Sequence, residues 1–307
     1  MPTKIIVNGY YRYHPSSWIL ADGEEAKDFL QSQFSNDISK LRDGDVTYGL
    51  WLDLKGKVQG DSFVYRDDDE RFFLMSYETP ESLILDKLIS FIVADDVELT
   101  GQTAGTAGIC FMGDALDSLK TLGVVTGKSG KIAFEGETVY AIPGRRGAQE
   151  AIELIGAEST LNTLLDRIFT NSGDLPELDF SLLEMHRIES LYPKIPIDIG
   201  PKDLPQEGGL EMDAVNFNKG CYLGQEVMSR LHSMGKVRRS IRLVECDAFV
   251  ENGTEIFSGD KKVGVLKSSI LRSGRYCSLA LISTVLSENA GLRLNDSGVK
   301  IALLPDS

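Results

Sequence analysis

Histidine and cysteine are scarce in this 307-residue chain, which has three of the first and four of the second. His14, His186 and His232 show no metal-ligand spacing, and Cys110, Cys221, Cys246 and Cys277 form no C-x-x-C pair. Neither a metal site nor a secreted disulfide framework is expected, and a reduced cytoplasmic protein is the default reading. No run approaches the roughly 20 apolar residues of a membrane-spanning helix, and Met1 to Tyr13 lacks the continuous apolar core of a secretory signal. A membrane partner is not expected. Positive charge is also short: 32 Lys and Arg face 46 Asp and Glu, a formal net charge of −14. That balance argues against a chain whose main business is holding DNA or RNA directly, because phosphate binding draws on clustered Lys and Arg.

What is present is the composition of a folded protein. Hydrophobic residues at 42% and charged residues at 25% exclude disorder, and the length allows about two domains. A first helix is expected from a cap at Asp22 through Ala26, Phe29, Leu30 and Phe34. A meander follows over Val46 to Leu52, Val58 to Tyr65 and Arg71 to Ser76. Thr79-Pro80-Glu81 opens a helix to about Val93, and a strand lies near Val97 to Thr100. Beyond it the pattern reads as a strand (Ile109–Met112), a helix (Asp114–Leu122), a hairpin (Ile132–Ile142) and helices over about 147–155 and 159–170. This alternation predicts an α+β protein with a mixed sheet and helices on one face. From Ile241 on, short strands at 241–244, 255–257, 263–269, 276–282 and 300–303 predict a small, separate, barrel-like β-domain.

Two places carry chemistry. On the helix from Ser181 to about Leu191, Leu182, Met185, Ile188 and Tyr192 form one stripe, and Glu189 falls inside it. A carboxylate on such a face needs a salt-bridge partner or a ligand, and the wheel leaves both open. The second place is Lys219-Gly220-Cys221-Tyr222-Leu223-Gly224-Gln225-Glu226, followed by Arg230 and His232. A short helix from Leu223 puts Cys221 at or just before its N-terminus, where the helix end and Lys219 would favour a thiolate. A small buried hydrophobe is the other reading of this cysteine. Downstream, Arg230, Lys236, Arg238, Arg239 and Arg242 put five positive charges into thirteen residues with no acid among them. That island either receives an anionic ligand or partner, or is a solvated rim.

These residues resemble a family. Lys219-Gly220-Cys221-Tyr222-x-Gly224-Gln225-Glu226 is similar to the signature K-G-C-[FY]-x-G-Q-E of the YgfZ folate-binding proteins. Those proteins are related to the aminomethyltransferase (T-protein) of the glycine cleavage system. Phe29-Leu30-Gln31-x-Gln33 with Asn36-Asp37, Lys55-Gly56-Lys57-Val58, Arg187-Ile188-Glu189, Leu204-Pro205-Gln206-Glu207 and the Gly264 strand with Ser268 or Ser269 resemble further family segments. The resemblance implies a three-part, ring-like aminomethyltransferase/folate-binding fold with a small C-terminal β-barrel. Residues 1–240 would form the folate-binding region as two α+β subdomains, the second about 45–175, and residues 241–307 the barrel. It implies tetrahydrofolate, or a one-carbon derivative, as the ligand.

Site roles follow from the same resemblance. Glu189 would hold the pterin ring, and Tyr222, Gln225, Glu226 and Arg230 would contribute to the ligand site. Cys221 would be the reactive thiol, with Lys219 tuning it. Asp61 is the nearest match to the T-protein's catalytic aspartate, although Gly60 replaces the acid that precedes it there. The leading expectation is a tetrahydrofolate-binding accessory protein that supports assembly or repair of iron–sulfur enzymes, including those that modify tRNA. Reduced folate and iron–sulfur client enzymes would be its partners. The alternative is a folate-dependent aminomethyltransferase, so whether the chain is an enzyme stays open.

Overall fold

The computed structural model describes residues 5–286, 291–294 and 299–304. Its elements are β1 (Gly9–Tyr13), β2 (Ser17–Asp22), α1 (Ala26–Gln33), β3 (Val46–Leu52), β4 (Val58–Arg66), β5 (Arg71–Ser76), α2 (Glu81–Ile89) and β6 (Glu98–Gly101). They continue with β7 (Thr106–Met112), a 3-10 helix (Gly113–Leu122), β8 (Gly130–Phe134), β9 (Glu137–Pro143), β10 (Ala151–Ala157), α3 (Glu158–Ser172), α4 (Phe180–Glu189) and α5 (Gln225–Met234). Last come β11 (Arg239–Cys246), β12 (Glu255–Ser258), β13 (Lys261–Arg272), β14 (Arg275–Ser283), β15 (Leu292–Leu294) and β16 (Lys300–Leu303).

One five-stranded sheet runs β3-β4-β5-β2-β6, a second runs β1-β7-β10-β9-β8, and the last six strands close a barrel in the order β11-β14-β13-β12-β15-β16. The two-residue period of the strands decides what each face packs against. Phe72 and Leu74 of β5 lie under α1 and α2 with Ile19, Ala21 and Val64. Phe73 and Met75 point the other way and meet Trp18, Phe63, Ile142 and Ile155, so the two sheets pack face to face. In the second sheet Ile109, Phe111, Ile152 and Leu154 are covered by Leu161, Leu164 and Ile168 of α3. A further core joins Leu50, Leu52 and Val58 of the first sheet to Ile188, Tyr222 and Met228 and to Ile241, Leu279 and Leu281 of the barrel. The α+β, three-part architecture with a closed terminal barrel is therefore what the structure has.

Several sequence expectations change. Both sheets pair antiparallel throughout, not as a mixed sheet. Residues 151–157, expected as helix, form β10 in the middle of its sheet. A strand covered on both faces reads as a continuous apolar run, and Glu153 within it is fully buried only because Arg146 pairs with it. Strands β1 and β2 were not expected, and Asp22 ends β2, so α1 begins later, at Ala26. The sheets also divide the chain elsewhere than near residue 45: residues 17–101 supply the first sheet, and β1 with residues 106–157 the second.

Candidate functional site

The two sheets and α4 with the segment after it meet around a cavity of about 50 Å³ whose wall includes Tyr48, Asp61, Tyr77, Glu78, Arg145, Glu184, Tyr192 and Lys194. Asp61 is delivered by β4 and is 6% exposed. Its carboxylate accepts from Ser76 Oγ and Thr79 Oγ1, each at 2.6 Å, and from Tyr48 Oη at 3.0 Å. Burial pushes the Asp61 carboxyl above its ordinary value, and the three hydroxyls work against that shift. Three bonds leave a carboxylate acceptor direction to spare. Gly60 is needed for this arrangement, because a Cβ there would meet Thr79 Cγ2 at 2.6 Å.

The opposite wall is made by two consecutive arginines in the loop after β9. The Arg145 guanidinium lies between the rings of Tyr48 and Tyr192, 4.5 and 4.8 Å from their centroids, and its Nε donates to Asp213 at 2.8 Å. Arg146 repeats the pattern between Tyr77 and Tyr13 at 3.8 and 4.3 Å, with its Nε on Glu153 at 2.9 Å. Tyr77 Oη also donates to Glu153, at 2.7 Å. Each guanidinium thus has aromatic faces and a carboxylate, the environment that best holds a buried Arg. Asn36 supports the first clasp: its amide donates to the carbonyls of Tyr48 and Asp213, whose side chains hold Arg145. Arg145 and Tyr192 also line a groove of about 500 Å³ on the far side, so they form the partition between cavity and groove.

Helix α4 presents its two glutamates to different places. Glu184 lines the cavity, where it accepts from Arg187 Nε and Nη2 at 3.1 and 2.9 Å and lies 3.1 Å from Lys194 Nζ. Burial works against its charge, but the Arg187 fork and Lys194 prevail and hold the Glu184 carboxyl below its ordinary value. Arg187 Nη1 also donates to Asp198 at 2.9 Å, and Asp198 accepts from Ser268 Oγ of the barrel at 2.7 Å. Glu189 lies five residues on, roughly 140° further around the helix, and pairs with Arg272 of β13 instead. The structure places it at the helix–barrel seam, outside the cavity wall.

The segment with the strongest sequence pattern is packed for support. Lys219 Nζ donates to the carbonyls of Gln31, Phe34 and Asn36 at 2.8, 2.6 and 2.8 Å, which occupies all three of its protons. It closes the C-terminal end of α1, where carbonyls lack helical partners and a cation is favoured. Burial lowers the Lys219 ammonium to about 8, and burial raises the Tyr222 hydroxyl to about 12. Gly224 adopts φ +86°, and a Cβ there would meet the Asp53 carbonyl at 2.6 Å, so α5 docks tightly on the β3–β4 turn. Cys221 is exposed in the loop three residues before the Gly224 cap of α5, while the other three cysteines are buried. Gln225 opens α5, and Glu226 pairs with Arg230 on its exposed face at 2.9 Å. None of Lys219, Cys221, Tyr222, Gln225, Glu226 and Arg230 lines the Asp61 cavity. Within the basic island, Arg239 is taken by Glu207 and Asp203, at 2.8 and 3.0 Å.

The model of the GCVT N-terminal domain matches residues 16–219, a span that holds the first sheet, the second sheet apart from β1, both clasp arginines and α4. The chain belongs to that family. A tRNA-modifying protein YgfZ of Vibrio atlanticus is 25% identical over 239 residues, covering 75% of this chain and 68% of its own. A second, of Aliivibrio fischeri, is 23% identical over 289 residues, 90% of this chain and 85% of its own. An aminomethyltransferase of Thermoanaerobacter pseudethanolicus is 24% identical over 308 residues, 91% of this chain and 76% of its own. In fold, the chain is similar to the glycine cleavage system aminomethyltransferase T from Bartonella henselae. The TM-score is 0.79 at 13% identity, over 96% of this chain and 85% of that one.

Within this family frame, sequence reasoning found Asp61 but missed the cavity's other walls. Tyr48 and Tyr192 looked like core or stripe residues, and Glu184 was hidden within an apparent capping box. The available signal was Gly144-Arg145-Arg146-Gly147, two adjacent cations between glycines at the end of a hairpin. It was obscured by reading 147–155 as helix.

Proposed function

We propose that this chain is a tetrahydrofolate-binding accessory protein that supports iron–sulfur enzymes, among them enzymes that modify tRNA. The observation that carries the reading is the Asp61 cavity: a buried carboxylate with acceptor capacity, walled by Tyr48, Tyr77 and Tyr192. Flat aromatic walls and a carboxylate suit a pterin ring, whose aminopyrimidine edge offers adjacent N–H donors. As built, the cavity holds only a few water molecules. Arg145 stands between it and the 500 Å³ groove, so admitting a ring requires this side chain to leave its tyrosine sandwich. Tetrahydrofolate, when bound, supplies ring nitrogens that carry one-carbon units. The chain's own part is to accept from the ring edge at Asp61, to cover its face with tyrosines, and to keep Glu184 ionised against Arg187 and Lys194. The names of the YgfZ relatives support the tRNA-linked reading. Cys221, the exposed thiol, would then face an iron–sulfur client rather than the folate.

Titration calorimetry with (6S)-tetrahydrofolate tests the ligand. Wild type is expected to bind and Asp61→Ala to lose at least tenfold in affinity; equal affinities would remove the cavity from the reading. A deletion strain complemented by wild type but not by Cys221→Ala, read by iron–sulfur enzyme activities and tRNA thiomethylation, tests the client role. The second reading, aminomethyl transfer, is favoured by the buried Asp61 carboxyl and by the similarity to an aminomethyltransferase over 91% of this chain. Methylenetetrahydrofolate formation from an aminomethyl donor, lost in Asp61→Asn, would establish it.

A further inference from the structure

A single buried carboxylate outside the Asp61 cavity holds three parts of its wall. Asp198 lies in the loop after α4, is fully buried and does not line the cavity. Its Oδ2 accepts from Arg187 Nη1 and from the backbone N–H of Lys194, both at 2.9 Å. Arg187 in turn gives Nε and Nη2 to Glu184, and its Nη1 also donates to the Tyr192 carbonyl at 2.6 Å. Glu184, Tyr192 and Lys194 all border the cavity. The first two are tied to Asp198 through one guanidinium, and the third through its own backbone.

The other oxygen of Asp198 is answered from the barrel. Oδ1 accepts from the Ser268 N–H at 2.9 Å and from Ser268 Oγ at 2.7 Å. These donors are free for Asp198 because β13 carries a bulge. Leu266 pairs with Ala280 but Ser269 pairs with Ser278, so β13 spends one residue more than β14 over that stretch. A bulge takes its extra residue out of the ladder and re-aims it. Ser269, the neighbouring serine of the same segment, shares a bond of 2.7 Å with Ser278 Oγ instead. The four acceptor directions of Asp198 are thus filled, two from the side of α4 and two from the barrel.

We propose that Asp198 is a positioning residue for the Asp61 cavity, and that the barrel acts on the cavity through it by way of Ser268. Wall groups keep the tolerance that binding demands only when their own partners are locked. The barrel is then a working part of the site, although none of its residues lines the cavity. What Glu184 does for a ring rests on the folate reading; how Glu184 is held does not.

The test follows the Glu184 carboxyl by 13C NMR of its Cδ, identified by its loss in Glu184→Gln, in wild type, Ser268→Ala, Ser268→Thr and Asp198→Asn. Arg187 and Lys194 oppose its proton directly, Glu78 shares Lys194, and Tyr11, Arg145, Arg146 and Asp61 border the same cavity. Ser268→Ala alters none of these charges, so any move it causes reports position. Ser268→Ala and Asp198→Asn are each expected to move the Glu184 carboxyl up toward its ordinary value, with Ser268→Thr behaving as wild type. Loss of the Asp198 charge without movement would lower it instead, so the sign discriminates. Tetrahydrofolate affinity, measured by calorimetry, should fall about threefold in Ser268→Ala, as expected for one supporting hydrogen bond. Because Ser268→Ala removes no buried charge, it carries the test even where Asp198→Asn does not fold. An unmoved Glu184 titration in Ser268→Ala, or a downward move in Asp198→Asn, would overturn the positioning role whatever the folate result. An upward move in a protein that binds no tetrahydrofolate would uphold the positioning role and overturn the folate reading alone.

Discussion

In the segment Lys219–Glu226 the side chains of Lys219 and Tyr222 turn inward against the neighbouring scaffold, whereas around Asp61 polar and aromatic groups turn toward open space. Lys219 gives its three protons to carbonyls at the end of α1, and Tyr222 is part of the core shared with the barrel. Around Asp61, by contrast, Tyr48, Arg145, Glu184 and Lys194 border a void. A strict local pattern thus marks the place where α5, α1 and the β3–β4 turn must lock together. The cavity surface is assembled from residues scattered over more than 130 positions, and Asp61 and Arg145 are each held by three partners. The lesson is that a tight motif testifies to a demanding geometry, and that geometry serves the scaffold here more than the cavity.

The largest expected effect lies in the clasp. Arg146→Leu would leave Glu153 fully buried without its cation, and removal of one partner of a buried pair costs about 3–5 kcal/mol. Urea unfolding would measure it; a loss below about 1 kcal/mol would show that Tyr77 alone satisfies Glu153. Next is Lys219→Met, which orphans three carbonyls and is expected to cost about 2–3 kcal/mol. Folate affinity of the folded variant should stay within twofold of wild type. A collapse of affinity without loss of stability would erase the contrast between the two regions.

Legibility in the sequence followed the same division. The barrel, the meander and the α1, α2 and α5 helices were readable because period, caps and turn residues are local. Strand β10 was not, since its buried Glu153 becomes acceptable only through Arg146 from the preceding loop. Glu189 was rightly read as a carboxylate in need of a partner. The wheel could not say that Arg272, more than 80 residues later, supplies one. Asp61 was visible through resemblance, but Tyr48, Arg145 and Tyr192 meet it only because the sheets and α4 converge, which no local period encodes.

A smaller effect concerns Asp61 itself. Its carboxyl is raised by burial, so the folded state holds this proton more tightly than the unfolded chain does. The ionised form therefore weakens the fold at neutral pH, and the penalty is relieved as pH falls through the raised value. Asp61→Asn, which has no ionised form, is expected to gain on wild type at pH 7 relative to pH 4, with that gain shrinking on acidification. Thermal unfolding from pH 7 to pH 4 measures it, and a gain that grows toward low pH would reverse the assignment. The smallest effect on the fold, though not on reactivity, belongs to Cys221: iodoacetamide should label it well before Cys110, Cys246 and Cys277, which are buried. Equal labelling rates in native protein would sink the exposed-thiol account.

The two glutamates of α4 offer the most direct trial of where the ligand sits. Calorimetric titration of (6S)-tetrahydrofolate into wild type, Glu184→Gln and Glu189→Gln separates the cavity from the helix–barrel seam. The cavity account predicts unchanged affinity for Glu189→Gln and a loss of about tenfold, near 1.4 kcal/mol, for Glu184→Gln. Abolished binding in Glu189→Gln with normal binding in Glu184→Gln would contradict it and move the ring to the seam.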